Sequence, residues 1–256
     1  MATYQELKGA KIKNYTEDPD NPYVGQLWYN TTTDSLRIRK ETSGNAWSSG
    51  GDLNTARGEG GSAGTQTAAL AFGGETPPDI AITEAYNGST WTELNDLNAT
   101  RRVQGSNGTQ TSALSYGGVP VPTHDETELW NGTNWTEVND LNTGRRSLSG
   151  AGADNTSALA FGGRTPGTPD HDQTELWNGT NWTEVNDLNA ADRAMGSFGV
   201  ATSALAFGGE DQTTEIWNGS VWYEVNDLNT ERQSAGGAGT VPSGIAFAGG
   251  PPFIAN

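Results

Sequence analysis

Apolar positions along this chain come in runs too short for helices and too regular for chance. Residues 67–72, Thr-Ala-Ala-Leu-Ala-Phe, end on Gly73 and Gly74, and similar runs end on glycine pairs beginning at Gly117, Gly162, Gly208 and Gly249. No segment carries a sustained apolar period of 3.6, so amphipathic helices are not expected. After each pair comes a short segment such as residues 127–130, Thr-Glu-Leu-Trp, then Asn131-Gly132, then residues 135–138, Trp-Thr-Glu-Val. Asn-Gly between two β-rich runs predicts a hairpin with a type I′ turn, which needs positive φ at both central residues. The pair recurs at Asn87, Asn178 and Asn218. The chain reads as strands throughout.

The strands belong to a repeat. Asp-Leu-Asn begins at Asp52, Asp96, Asp140, Asp187 and Asp227, with spacings of 44, 44, 47 and 40. A Trp precedes each by five positions: Trp47, Trp91, Trp135, Trp182 and Trp222. An Arg follows each: Arg57, Arg101, Arg145, Arg193 and Arg232. Residues 130–142 and 177–189 are identical. Four short strands in about 40–45 residues is the size of one propeller blade. Four complete units start near 57, 101, 145 and 193. A fifth starts near 232 and has room for two strands, so its outer half is expected from residues 36–39 and Trp47. Sharing one blade between the chain ends would leave no sheet edge unpaired. The expected fold is an all-β, single five-bladed propeller over residues 36–256, with a short arm over residues 1–35.

The glycine pair after an apolar strand, the aromatic five residues before a Trp (Tyr86 and Trp91, Trp130 and Trp135), and the Arg about ten further on resemble the kelch repeat. That resemblance spans roughly residues 36–250 and implies a β-propeller. The departures are Trp for Tyr in three units and an extra residue read before Arg193. Residues 25–38, with Gly-Gln-Leu-Trp-Tyr-Asn, a Thr/Asp turn and Ser-Leu-Arg-Ile, resemble a hairpin of bacteriophage tail-fibre and other virion proteins.

Composition sharpens this picture. Hydrophobic residues make up 33% of the chain and the net charge is −17, which alone would suggest disorder, but nine Trp do not. Without cysteine there is no disulfide framework, thiolate metal site or cysteine nucleophile. No apolar run reaches the length of a transmembrane helix, and the first ten residues carry no secretion signal. All four Lys lie in the first 40 residues (Lys8, Lys11, Lys13, Lys40), so the remainder is strongly acidic. Such a surface repels nucleic acid and anionic membrane, and neither is an expected partner. The near-neutral arm suits docking.

Each candidate chemistry has a plainer reading beside it. Five repeated Arg could bind an anion in the channel, but they recur with the strand Glu (Glu84, Glu128, Glu175, Glu215) and read as ties between strands. The Trp ladder could stack sugars, but its fixed strand positions read as packing between blades. His124 with Asp125, and His171 with Asp170 and Asp172, offer metal-type donors. Equivalent positions in neighbouring blades are too far apart for one ion, so no metal is expected. Asn131, Asn134 and Asn178 match a glycosylation acceptor pattern, but turn chemistry accounts for Asn-Gly better. No Gly-x-Ser-x-Gly elbow, sialidase-type Asp motif or distinctive carboxylate pair is present. The copper site of oxidases with kelch propellers needs a cysteine. No catalytic residue and no cofactor is therefore expected.

The expected function is a non-enzymatic virion module, made in the host cytoplasm and placed in a tail fibre, tail tip or capsid decoration. It would attach to other virion proteins through residues 1–35, with homo-oligomerisation open. The alternative is a lectin-like propeller that binds host glycan; a glycan-active enzyme ranks below both. Candidate ligand contacts lie in the segments after each glycine pair, residues 75–82, 119–126, 164–173 and 210–213. They are Pro77, Asp79, Pro122, His124, Asp125, Asp170, His171, Asp172 and Asp211.

Overall fold

The computed structural model describes residues 13–19, 26–38, 49–120 and 124–251; Trp47 and Pro122 lie outside them. Every regular element among the described residues is a strand. The chain divides into two compact units, Met1–Ser49 and Gly50–Asn256.

In the first unit, β1 (Lys13–Tyr15) runs parallel to β2 (Leu27–Asn30), which pairs antiparallel with β3 (Ser35–Ile38). Asn30 Oδ1 accepts the N–H groups of Thr32 and Thr33, which fixes the turn. The Asp18 carboxylate accepts from Trp28 Nε1 at 2.9 Å and Asn30 Nδ2 at 2.8 Å. Of the hairpin read at residues 25–38, residues 27–38 form an antiparallel pair, and Gly25 lies outside the described residues. The assignment of residues 36–39 to the last blade is corrected: Leu36 to Ile38 lie in β3, facing Tyr29, Trp28 and Leu27. A short turn closes this local pairing at far less entropy cost than pairing across the whole chain. Arg39 lies outside the described residues.

The second unit repeats one sheet. The first copy is β4 (Gly61–Thr65), β5 (Ala68–Phe72), β6 (Thr83–Tyr86) and β7 (Trp91–Glu93), antiparallel in chain order. The second is β8 (Gly105–Thr109), β9 (Ser112–Tyr116), β10 (Thr127–Trp130) and β11 (Trp135–Val138). The third is β12 (Ser149–Asp154), β13 (Ser157–Phe161), β14 (Thr174–Trp177) and β15 (Trp182–Glu184). The fourth is β16 (Gly196–Val200), β17 (Ser203–Phe207), β18 (Thr214–Trp217) and β19 (Trp222–Glu224). Last come β20 (Gly236–Thr240) and β21 (Ser243–Phe247), paired only with each other among the described residues. These repeated four-stranded sheets are compatible with a propeller-like fold.

The hairpin turns depart from type I′. Gly132 takes φ of 93°, but Asn131 is not among the positive-φ residues. Trp130 pairs directly with Trp135, which leaves four residues in the loop. Asn131 Oδ1 accepts the N–H groups of Thr133 and Asn134, each at 2.9 Å, so the side chain does the turning.

The core lies between sheets. Trp135 of the second sheet donates from Nε1 to Thr83 Oγ1 of the first at 3.0 Å. Trp182 and Trp222 repeat this bond to Thr127 and Thr174. Phe72 meets Trp135 edge-on at 4.7 Å, and Tyr116–Trp182 and Phe161–Trp222 copy that geometry. Each such aromatic buries on the order of 150–250 Å². Trp91, in the first four-stranded sheet, donates instead to the Gly51 carbonyl. Trp135, Trp182 and Trp222 are packing residues between sheets.

Candidate functional site

The Asp-Leu-Asn connector explains its own repetition. Asp140 Oδ1 accepts the Thr127 N–H of its own sheet at 3.1 Å, and Leu141 is buried between sheets. Asn142 then donates from its backbone and its side chain to Glu175 of the next sheet, at 2.7 and 2.8 Å. Arg145 completes the tie, Nη1 to Glu175 Oε1 at 3.0 Å, both groups at most 1% exposed. Arg57–Glu84 and Arg101–Glu128 match it at 3.1 and 2.8 Å. Arg145 Nη2 also donates to the Ala160 carbonyl. Burial lowers the Arg145 guanidinium from its ordinary range, against the pull of Glu175. The repeated ionisable groups hold units together.

The fourth unit breaks the rule. Gly74, Gly118 and Gly209 donate their N–H groups to the carbonyls of Arg101, Arg145 and Arg232. Gly163 donates to Asp192, not to Arg193. Asp192 thus holds the tie position, three residues after Asn189 as Arg145 is three after Asn142, and no residue is inserted. Arg193 aligns with Arg102 and Arg146. Glu215 stays buried, held by Asn189 and the Ala190 N–H without a guanidinium. A small cavity lined by Asp192, Met195, Ala206 and Glu215 occupies the place of the missing side chain. Burial pushes the Asp192 carboxyl up to about 7, partly offset by the N–H groups of Glu210 and Arg193.

The innermost strands β4, β8, β12, β16 and β20 pack side by side in chain order, with no comparable packing from β20 to β4 among the described residues. They line a cavity of about 950 Å³ whose wall is mostly Gly, Ser and Ala. Small residues are required there: a Cβ on Gly105 would collide with the Tyr116 ring. At one mouth stand Glu59, Val103, Ser147, Ala194 and Ser234, all non-glycine residues with φ between 48° and 56°. Their backbones are linked in series. Val103 donates to Glu59, Ser147 to Val103, Ala194 to Ser147 and Ser234 to Ala194, at 2.7–2.9 Å. No fifth bond joins Glu59 N–H to Ser234 O among the described residues.

The loops after the glycine pairs open at this mouth. Arg102 meets Asp79 at 2.9 Å, Glu75 at 3.3 Å and Glu59 at 2.6 Å. Arg193 meets Asp170 at 2.8 Å and also Glu210. Asp79 and Asp170 are therefore engaged by the scaffold. Asp211 Oδ1 accepts the Thr213 N–H, and Pro77 is exposed. His124 and His171 do occupy equivalent places: their carbonyls accept from Arg145 N–H and Asp192 N–H. His124 Nδ1 faces the Gly118 carbonyl, while His171 lies between Thr165 Oγ1 and Gln173 Oε1. Asp125 and Asp172 offer carbonyls to Leu141 and Leu188. Among the described residues, no three His or carboxylate side chains converge as metal ligands. The sequence reading missed Arg102, Arg146 and Arg164 at the mouth; the doubled Arg at 101–102 and 145–146 was the available signal. No protein-family model matches the chain, and no curated protein matches it.

Proposed function

We propose that this chain is a non-enzymatic structural and host-recognition module of a bacteriophage virion, attached to other virion proteins through residues 1–35. The observation that supports this reading is the division of labour within the repeat. Repeated ionisable and aromatic side chains are committed to ties between units, whereas variation gathers in the loops at one mouth. Variable loops on a rigid repeat are the usual place for recognition. A lectin-like reading is favoured by the same loops, with host glycan as the ligand. In purified particles, mass spectrometry should find the chain. Replacing residues 164–173 by residues 210–213 should keep the fold and abolish cell adsorption and glycan-array signal. Wild-type adsorption by the exchanged protein would refute the recognition role.

In this reading five units form a closed ring, and with residues 36–38 committed to β3 the outer half of the last is left to the stretch around Trp47. Ile245 is 55% exposed, whereas Leu159 at the equivalent place is 0% exposed, so β20–β21 has an uncovered apolar layer. Removing residues 1–50 should lower the melting temperature by more than about 8 °C, on the order of 2–4 kcal/mol for this size. An unchanged melting temperature would exclude the shared unit.

A further inference from the structure

Eight of the 14 basic residues follow residue 40, among 26 of the 31 acidic ones. In so acidic a shell, a cation without a carboxylate stands out. Arg57, Arg101 and Arg145 sit on buried glutamates, Arg102 and Arg193 gather several carboxylates, and Arg232 donates to the Ala248 carbonyl. Arg146 and Arg164 have no carboxylate or carbonyl partner for their side chains among the described residues. The Nε of each is buried with no hydrogen-bond partner.

The two are placed together by the backbone. Arg146 N–H donates to Arg164 O and Arg164 N–H to Arg146 O, both at 2.9 Å, in an isolated antiparallel bridge. Directly opposite residues of such a pair project to the same side, where like charges repel. Elsewhere at the mouth the position of Arg164 is held by Glu75 and Val119, opposite Gly58 and Arg102. Among the described residues only the third unit sets cation against cation. Burial, then the charges of Arg164, Arg102 and Arg193, hold the Arg146 guanidinium below its ordinary range. Guanidinium does not shed its proton in proteins, so the unmet charge calls for an anion.

We propose that Arg146 and Arg164 form an oxyanion site at the channel mouth, taking a phosphate, sulfate or carboxylate group. Two guanidiniums carried on directly opposed residues suit a group with two or more oxygens, which can accept N–H donors from both. Arg102 and Arg193 flank the site with their charge already matched by carboxylates, which confines it to a single anionic group. The inference stands independently of the virion reading.

The test is calorimetric titration of the full chain with inorganic phosphate, sulfate and glucuronate, at ionic strength held constant with sodium chloride. One saturable site is expected, weakened at least tenfold in Arg146→Gln and in Arg164→Gln and weakened less in Arg164→Lys, which keeps the charge but not the planar donor fork. Binding of phosphate or sulfate alone would mark a tetrahedral group; glucuronate binding would mark a carboxylated sugar. Without oxyanion, Arg164→Gln should melt no lower than wild type, because a repulsive pair has been relieved; a structural arginine would give a clear drop. Should Arg146→Gln fail to fold, Arg164→Gln decides. No saturable binding of any of the three anions, or equal binding in folded Arg164→Gln, would overturn the site.

Discussion

Arg145→Met should be among the most damaging single substitutions in the chain, costing about 3–5 kcal/mol. The guanidinium is fully buried and faces Glu175, which is itself 1% exposed. Methionine fills much of the same volume, so the loss is chiefly the charge left behind. Glu175 would keep the Asn142 and Thr143 donors but not its counter-ion. Removing that charge as well, in Arg145→Met/Glu175→Gln, should recover at least half of the loss. Chemical denaturation of the two single variants and the double variant gives the coupling directly. Additive losses would mean that the pair is not an energetic unit.

Asp192 should show the opposite sign. Its carboxyl titrates near 7 in the fold and near 3.8 when free. Below about pH 4 it is protonated in both states and folding meets no electrostatic cost. Between about pH 4 and 7 the unfolded chain is ionised while the folded carboxyl keeps its proton, so stability is lost across that window and no further above it. At 1.36 kcal/mol per pH unit the loss is bounded by about 4 kcal/mol, and relaxation around the cavity should bring it to roughly 2. Asp192→Asn should match wild type near pH 4 and exceed it by that amount at pH 8. Asp192→Arg should also gain at pH 8, because the new side chain reaches Glu215 and the Ala206 carbonyl as Arg145 reaches Glu175 and Ala160. A constant gap between wild type and Asp192→Asn from pH 4 to 8 would show that Asp192 does not titrate as described.

Much of this architecture is written locally and can be read from the chain. Apolar runs ending on glycine pairs became β5, β9, β13, β17 and β21, and the Arg and Glu that recur in step became buried pairs. The misreadings have physical causes. Asn131 was assigned a backbone role, but its short amide accepts two N–H groups and carries a four-residue loop without leaving negative φ. Arg193 was aligned by residue type where spacing from Asn189 was the better guide. Leu36 fits two pairings by pattern alone, and the nearer partner won. The mouth was least legible. Which arginines face each other depends on register across a ladder between residues 18 positions apart, Arg146 and Arg164, and no periodicity encodes that.

The connector also bears on how such a chain changes over generations. Because each copy finishes one sheet and ties down the next, the repeating module is out of phase with the sheet. Recombination between the two identical stretches, residues 130–142 and 177–189, excises one full period and rejoins the chain within a connector. Every Trp–Thr bond and Asn cap across the new junction is then re-formed by residues of the same kind, with Asp192 again facing Glu215 at the tie position. The number of units can drift by whole steps while the interfaces stay constant, and each step carries one mouth loop in or out of the lineage.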